Sequence, residues 1–173
     1  MIGAALRPMP DLERRAPRHA APDPGGRAER YVHAGEVLVA ATPTAFSTVL
    51  GSCVAVCLFD QGRSVGGVNH ILLPHPVGPE RSSRFGSVAV PRLVEELLRA
   101  GARRESLQAK IFGGAAVIGH FRGRHSLGED NVSLTRQLLE EAGIPIVEED
   151  VGGERGRKVV FHSDVGAVWV RLL

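Results

Sequence analysis

Three observations in the sequence predict an α/β fold. Short apolar runs rich in β-branched residues recur between turn-forming residues. Two longer segments carry the 3.6-residue helical repeat, and strands and helices are mixed along the chain. The chain has 173 residues, 43% of them hydrophobic and 23% charged. That suits one soluble globular domain with a real core.

Residues 1–28 hold Pro8, Pro10, Pro17, Pro22 and Pro24 among many Ala and Arg, with almost no periodicity. They read as a disordered extension without a specific role, which leaves 29–173 as a single domain. The net charge of +2 belongs to the first thirty residues. No basic patch points to nucleic acid. No apolar run approaches the roughly 20 residues a membrane helix needs. The start, "MIGAALRPMP", is a poor signal peptide. A cytoplasmic protein without membrane insertion is expected.

The segment "EVLVAAT" (36–42) alternates Val37, Val39 and Ala41 as a half-buried strand does. "CVAVCLF" (53–59) is apolar on both faces and reads as a central strand. "VGGVNHILL" (65–73) is a third strand, where Gly66 and Gly67 mark a bulge or a close approach. In "AVPRLVEELLRAGA", Val90, Leu93, Val94, Leu97 and Leu98 form a helical stripe, with Pro91 suiting the first turn and Gly101 the stop. In "DNVSLTRQLLEEAG", Val132, Thr135, Leu138, Leu139 and Ala142 form another, with Asn131 as N-cap and Gly143 as the end. Short runs at 109–114, 144–150, 157–162 and 167–173 supply further strands. "GGERGR" (152–157) reads as a hairpin loop, because no Walker lysine precedes a Ser or Thr. Gly113-Gly114 reads as a strand-ending turn rather than a substrate-lining one.

"VLGSCVAVCLFD" (49–60) raises the question of chemistry. Cys53 and Cys57 would stand roughly 13 Å apart along a strand. A disulfide needs Cα atoms within about 7 Å. Two zinc-bound sulfurs need to lie within roughly 4.6 Å. Neither a disulfide nor a metal site is expected, even with His70 and His75 nearby. A tight loop at "DQGRS" (60–64), by contrast, pairs His70 with Cys53 or with Val54. An imidazole then lies beside the first thiol. The Gly51-Ser52 turn ahead of Cys53 can leave backbone N–H groups free to bind an oxyanion. On residues alone, Cys53 reads first as a buried thiol, with a nucleophile as the alternative that the hairpin register supports, and Cys57 reads as a small hydrophobe. His120, His125 and His162 have no evident partners and read as surface or supporting residues.

"LGSCVAVCLFD" followed by "GGVNHILLP" resembles the CheD family of chemoreceptor glutamine deamidases. The resemblance continues through "SSRFGSVAVPRLVEELLRAGARRESLQAKIFGGAAV" and "LGEDNVSLTRQLLEEAGIPIVEEDVGGERGRKVVFH", over roughly residues 33–170. It implies a layered, mixed-sheet α/β fold with amphipathic helices outside, similar to cysteine-dependent deamidating toxins. It also implies hydrolysis of glutamine side chains on the cytoplasmic helices of methyl-accepting chemotaxis receptors. Cys53 would be the nucleophile and His70 the base. The orienting threonine falls on Ser47, with Thr48 beside it. Backbone N–H groups of Ser52 and Cys53 would hold the oxyanion. No cofactor or metal is implied, and a CheC-type phosphatase is an implied partner. Asp130 stands where the family more typically has Arg, and nothing in the sequence accounts for that change. The alternative is a non-catalytic chemotaxis module that associates with receptors or with a CheC-type phosphatase.

Overall fold

The computed structural model describes residues 25–116 and 126–173. Among the described residues, nine strands and two α-helices form three layers, sheet on sheet on helices. The strands are β1 (Ala28–Tyr31), β2 (Val37–Ala40), β3 (Thr44–Leu50), β4 (Val54–Asp60), β5 (Val65–Asn69), β6 (Gln108–Gly113), β7 (Ile146–Val151), β8 (Arg157–His162) and β9 (Val168–Leu172). The helices are α1 (Gly86–Arg99) and α2 (Leu127–Glu141). One sheet has the order β1-β3-β8-β9, and the other β2-β5-β4-β6-β7. Both sheets are mixed: β1 runs parallel to β3 and β6 parallel to β7, and the other pairs are antiparallel.

The apolar pattern explains the layering. In β4 every residue is buried, because the strand is central and covered on both faces. Ala55, Cys57 and Phe59 meet Phe46, Leu50, Val159 and Phe161 of the opposing sheet. Val54, Val56 and Leu58 face the other way, toward Val90, Leu93 and Leu97 of α1 and Val132 and Leu139 of α2. Both helices therefore cover the outer face of the five-stranded sheet.

Several sequence expectations are corrected. β1 and β3 were not anticipated. Residues 25–28, assigned to the extension, include Arg27, whose guanidinium pairs with Asp164 at 2.7 Å, and the first residue of β1. Residues 1–24 lie outside the described residues. α1 starts at Gly86, ahead of the expected start, so Pro91 is not in its first turn. Gly86 and Ser87 donate instead to the Leu73 and Pro74 carbonyls. Asn131 is not an N-cap. Ser126 caps α2 in a reciprocal capping box with Glu129, a Ser-x-x-Glu spacing present in the sequence. Residues 152–156 do not form a hairpin loop, since β7 and β8 belong to different sheets. The buried Arg157 holds that crossing by donating to the carbonyls of Asp150 and Gly152 and to the Asp150 carboxylate. Gly66 and Gly67 make a close approach and no bulge: a Cβ on Gly66 would lie 2.4 Å from the Ser163 carbonyl oxygen.

Candidate active site

Cys53 lies at the entrance to β4, after the bend at Gly51-Ser52. The β4–β5 turn occupies residues 61–64, so Asp60 pairs with Val65 and Cys57 with Val68. A further bridge joins Val54 to Ile71. This register differs from both expected ones. His70 faces Ala55, and Cys53 faces Leu72. Cys53 and His70 are thus diagonal neighbours on one face of the sheet, within reach of an imidazole. That face is the one turned toward the second sheet. Val54 and Ile71, their alternating neighbours, pack on the helix side, whereas Cys53 packs against the inter-sheet cluster.

His70 is held from several directions. Its backbone N–H donates to the Glu36 carbonyl at 3.0 Å, and its carbonyl accepts from Gly35 at 2.8 Å. Next to it, the Asn69 side-chain oxygen accepts the Val56 N–H at 2.9 Å and keeps the two strands tied. The ring meets the other sheet through Nδ1, 2.9 Å from the Thr48 hydroxyl oxygen. That hydroxyl donates to the Val32 carbonyl at 2.8 Å. A hydroxyl has one hydrogen, so toward His70 it can only accept. Nδ1 therefore carries the proton, and Nε2 is the basic nitrogen of the neutral ring.

Strand alternation distinguishes the two hydroxyl residues. Phe46, Thr48 and Leu50 point between the sheets, whereas Ser47 and Val49 point outward and are partly or largely exposed. Ser47 contributes only its backbone carbonyl, which accepts from Val32 at 2.8 Å. The structure brings Thr48 to His70 and leaves Ser47 on the far face.

Burial pushes the Cys53 thiol above its ordinary value, partly offset by its own backbone N–H. Burial also lowers the His70 pKa, against the pull of the Val32 carbonyl; nearby His33 lowers it further. The resting pair is therefore a neutral thiol and a neutral imidazole. Neither the Ser52 nor the Cys53 backbone N–H donates to another residue among the described residues, and both residues are partly exposed. Those are the features an oxyanion site needs. Cys57 is wholly buried and its thiol is pushed far up by that burial.

Gly113 and Gly114 end β6, and they also close on the cysteine. The Gly114 N–H donates to the Cys53 carbonyl at 2.8 Å. A Cβ on Gly113, at φ +105°, would lie 2.2 Å from that same oxygen. From α2, the Asn131 amide donates to the Ser52 and Leu72 carbonyls at 3.2 and 3.0 Å. Sequence reasoning missed the role of Asn131 and of the Val32 carbonyl. His162, expected at the surface or in a supporting position, is not at the surface: it is buried against Trp169 with ring centroids 4.4 Å apart. It pairs with Ala45, three residues along β3 from Thr48. His75 is exposed, and His120 and His125 lie outside the described residues. Among the described residues, no group of three or more His, Cys, Asp or Glu side chains could hold a metal ion.

Comparison with known proteins adds the decisive observation. Residues 72–172 match the family model described as CheD chemotactic sensory transduction. The chain belongs to the CheD family. A relative from Anaeromyxobacter dehalogenans, named "Probable chemoreceptor glutamine deamidase CheD 1", is 63% identical over 152 residues, covering 88% of this chain and 89% of its own. A relative from Sulfurimonas denitrificans, named "Probable chemoreceptor glutamine deamidase CheD", is 38% identical over 146 residues, covering 83% of this chain and 93% of its own. Among solved structures, Bacillus licheniformis hypothetical protein YfiH is similar over 66% of this chain and 49% of its own, with 20% identity and a TM-score of 0.45.

Proposed function

We propose that this chain is a protein-glutamine deamidase acting on chemoreceptors, with Cys53 as nucleophile and His70 as general base. The observation that carries the reading is the Val32–Thr48–His70 relay. It fixes the histidine tautomer on the sheet face that Cys53 shares. The names of the family's relatives supply the substrate class.

The chemistry follows from a thiol that burial keeps protonated. It needs a neighbouring base, because thiolate is the nucleophilic form. His70 Nε2 takes the proton as sulfur attacks the carbon of the glutamine side-chain amide. The developing oxyanion is held by the N–H groups of Ser52 and Cys53. The imidazolium returns the proton to nitrogen, the C–N bond breaks, and ammonia leaves a thioester on Cys53. The same imidazole then takes a proton from water, whose oxygen attacks the thioester. Glutamate and free thiol result, with no net redox change. Thr48 holds the ring throughout, and its acceptance from Nδ1–H supports the transient positive charge.

The substrate glutamines lie on cytoplasmic receptor helices, so the reading includes a cytoplasmic location. No described helix is long and apolar enough to cross a membrane. A CheC-type phosphatase as a second partner rests on the family resemblance alone, and co-purification of the two proteins tests it. For the activity itself, a purified chemoreceptor cytoplasmic fragment is incubated with wild type or Cys53→Ala and mapped by peptide mass spectrometry. Gln-to-Glu conversion is expected with wild type only. Conversion that persists in Cys53→Ala, or none with wild type, overturns the proposal.

A further inference from the structure

One helical side chain is tied to the nucleophile turn by donors alone. Asn131 is 1% exposed, and its amide nitrogen spans the Ser52 and Leu72 carbonyls. Its side-chain oxygen is buried without a partner among the described residues. A buried unpaired acceptor is unfavourable, so the residue is not explained by filling space.

The strand pairing shows why donors are needed there. Val54 and Ile71 exchange both backbone hydrogen bonds, at 3.0 and 2.7 Å. One step further, the β5 extension turns away. Leu73 donates to the Arg84 carbonyl, and its own carbonyl accepts from Gly86. The Ser52 carbonyl is thereby left without a ladder partner at the residue before the nucleophile, and the amide of Asn131 takes that place.

The consequence lies in the peptide unit between Ser52 and Cys53. That unit is planar and trans, so its C=O and N–H point in opposite directions. Gripping the Ser52 oxygen from the α2 side fixes where the Cys53 N–H points. Hydrogen bonding to the carbonyl also strengthens the N–H as a donor. We infer that Asn131 is a positioning residue for the oxyanion site, acting through the Ser52–Cys53 peptide and not on the thiol itself. The inference rests on the deamidase reading above and extends it to a residue on α2.

The test separates steps that need an oxyanion from one that does not. Deamidation of a purified chemoreceptor fragment passes through a tetrahedral oxyanion, whereas alkylation of Cys53 by iodoacetamide is a displacement at carbon without one. In Asn131→Ala, kcat for deamidation is expected to fall about 100-fold, the size of one misplaced oxyanion donor. KM and the Cys53 alkylation rate stay within about twofold of wild type, as for loss of an interaction made only in the transition state. Unchanged kcat, or alkylation falling in parallel with kcat, overturns the inference. If Asn131→Ala shows no melting transition, Asn131→Ser, too short to span both carbonyls, carries the same comparison. Absence of conversion by wild type removes the deamidase reading and this inference with it. Conversion by wild type with full rates in the variants removes this inference alone.

Discussion

At the scale of single residues, one hydroxyl sets the tautomer of His70, the proposed base. Thr48 donates to Val32 and accepts from His70, which leaves Nε2 free. Thr48→Val keeps the shape and removes both hydrogen bonds. Its kcat is expected to fall on the order of 100-fold, the lower range of a general base's contribution. Thr48→Ser and Ser47→Ala should both stay close to wild type, because one retains the hydroxyl and the other alters only the outer face. A steady-state comparison of the three variants checks this, and a large loss in Ser47→Ala contradicts it. The pH profile follows from the direction of the shifts. His70 is lowered from 6.5 by burial, so it is already unprotonated at neutral pH. Cys53 is raised from 9.0 by burial, so it stays a thiol there. kcat/KM should rise with pH along a limb centred below 6.5 and then stay level across neutral pH. A limb centred above 6.5 contradicts the burial argument. Thr48 entered only through the resemblance, as the neighbour of Ser47, because its hydroxyl interrupts the apolar face of Phe46 and Leu50 that would identify a strand.

Among the secondary-structure elements, the end of β6 and the start of α2 hold the cysteine turn. Gly113 has φ +105°, and its backbone approaches the Cys53 carbonyl too closely for a Cβ. Gly128, in the first turn of α2, has the same relation to the Gly114 carbonyl, at 2.3 Å from a built Cβ. Gly113→Ala is expected to cost about 1–3 kcal/mol in strain and overpacking and to remove most of the activity. Gly143, just beyond α2 at φ +69°, has open space around it. Gly143→Ala should cost about 1–2 kcal/mol with kcat unchanged. Thermal melts and rates on the two variants separate site geometry from general backbone strain. Equal activity losses contradict the clamp. The helices were legible because their buried stripes repeat at 3.6 residues. β1 was not, since its four residues are exposed and show no apolar face. Asn131 was misread because a polar residue near a helix start has the same sequence signature as a cap, and only packing reveals that it is buried.

Over the whole molecule, the candidate site is built across the two sheets. Cys53 and His70 flank the bridge between β4 and β5, and the orienting hydroxyl comes from β3 in the opposing sheet. The spacing between the sheets is set by the aromatic cluster of Phe46, Phe59, Phe112 and Phe161. Phe46 and Phe161 stack with centroids 6.4 Å apart, two residues from Thr48 along β3. Phe161→Ala should destabilise by about 3–5 kcal/mol. It should also lower kcat at a temperature where circular dichroism shows the variant folded. Unchanged kcat in the folded variant contradicts the coupling of packing to the site. This scale was the least legible. Hairpin geometry relates residues within one sheet, and even there the register was off by one or two. The pairing of β3 with β8 joins residues more than a hundred positions apart, which local patterns do not encode.

The most direct measurement is an acid-quenched reaction of wild-type protein with a chemoreceptor cytoplasmic fragment, followed by intact-mass and peptide analysis. A receptor fragment joined through a thioester to the peptide containing Cys53, decaying as glutamate accumulates, is the predicted result. Glutamate formation with no adduct on Cys53, and at an equal rate in Cys53→Ala, would contradict the account.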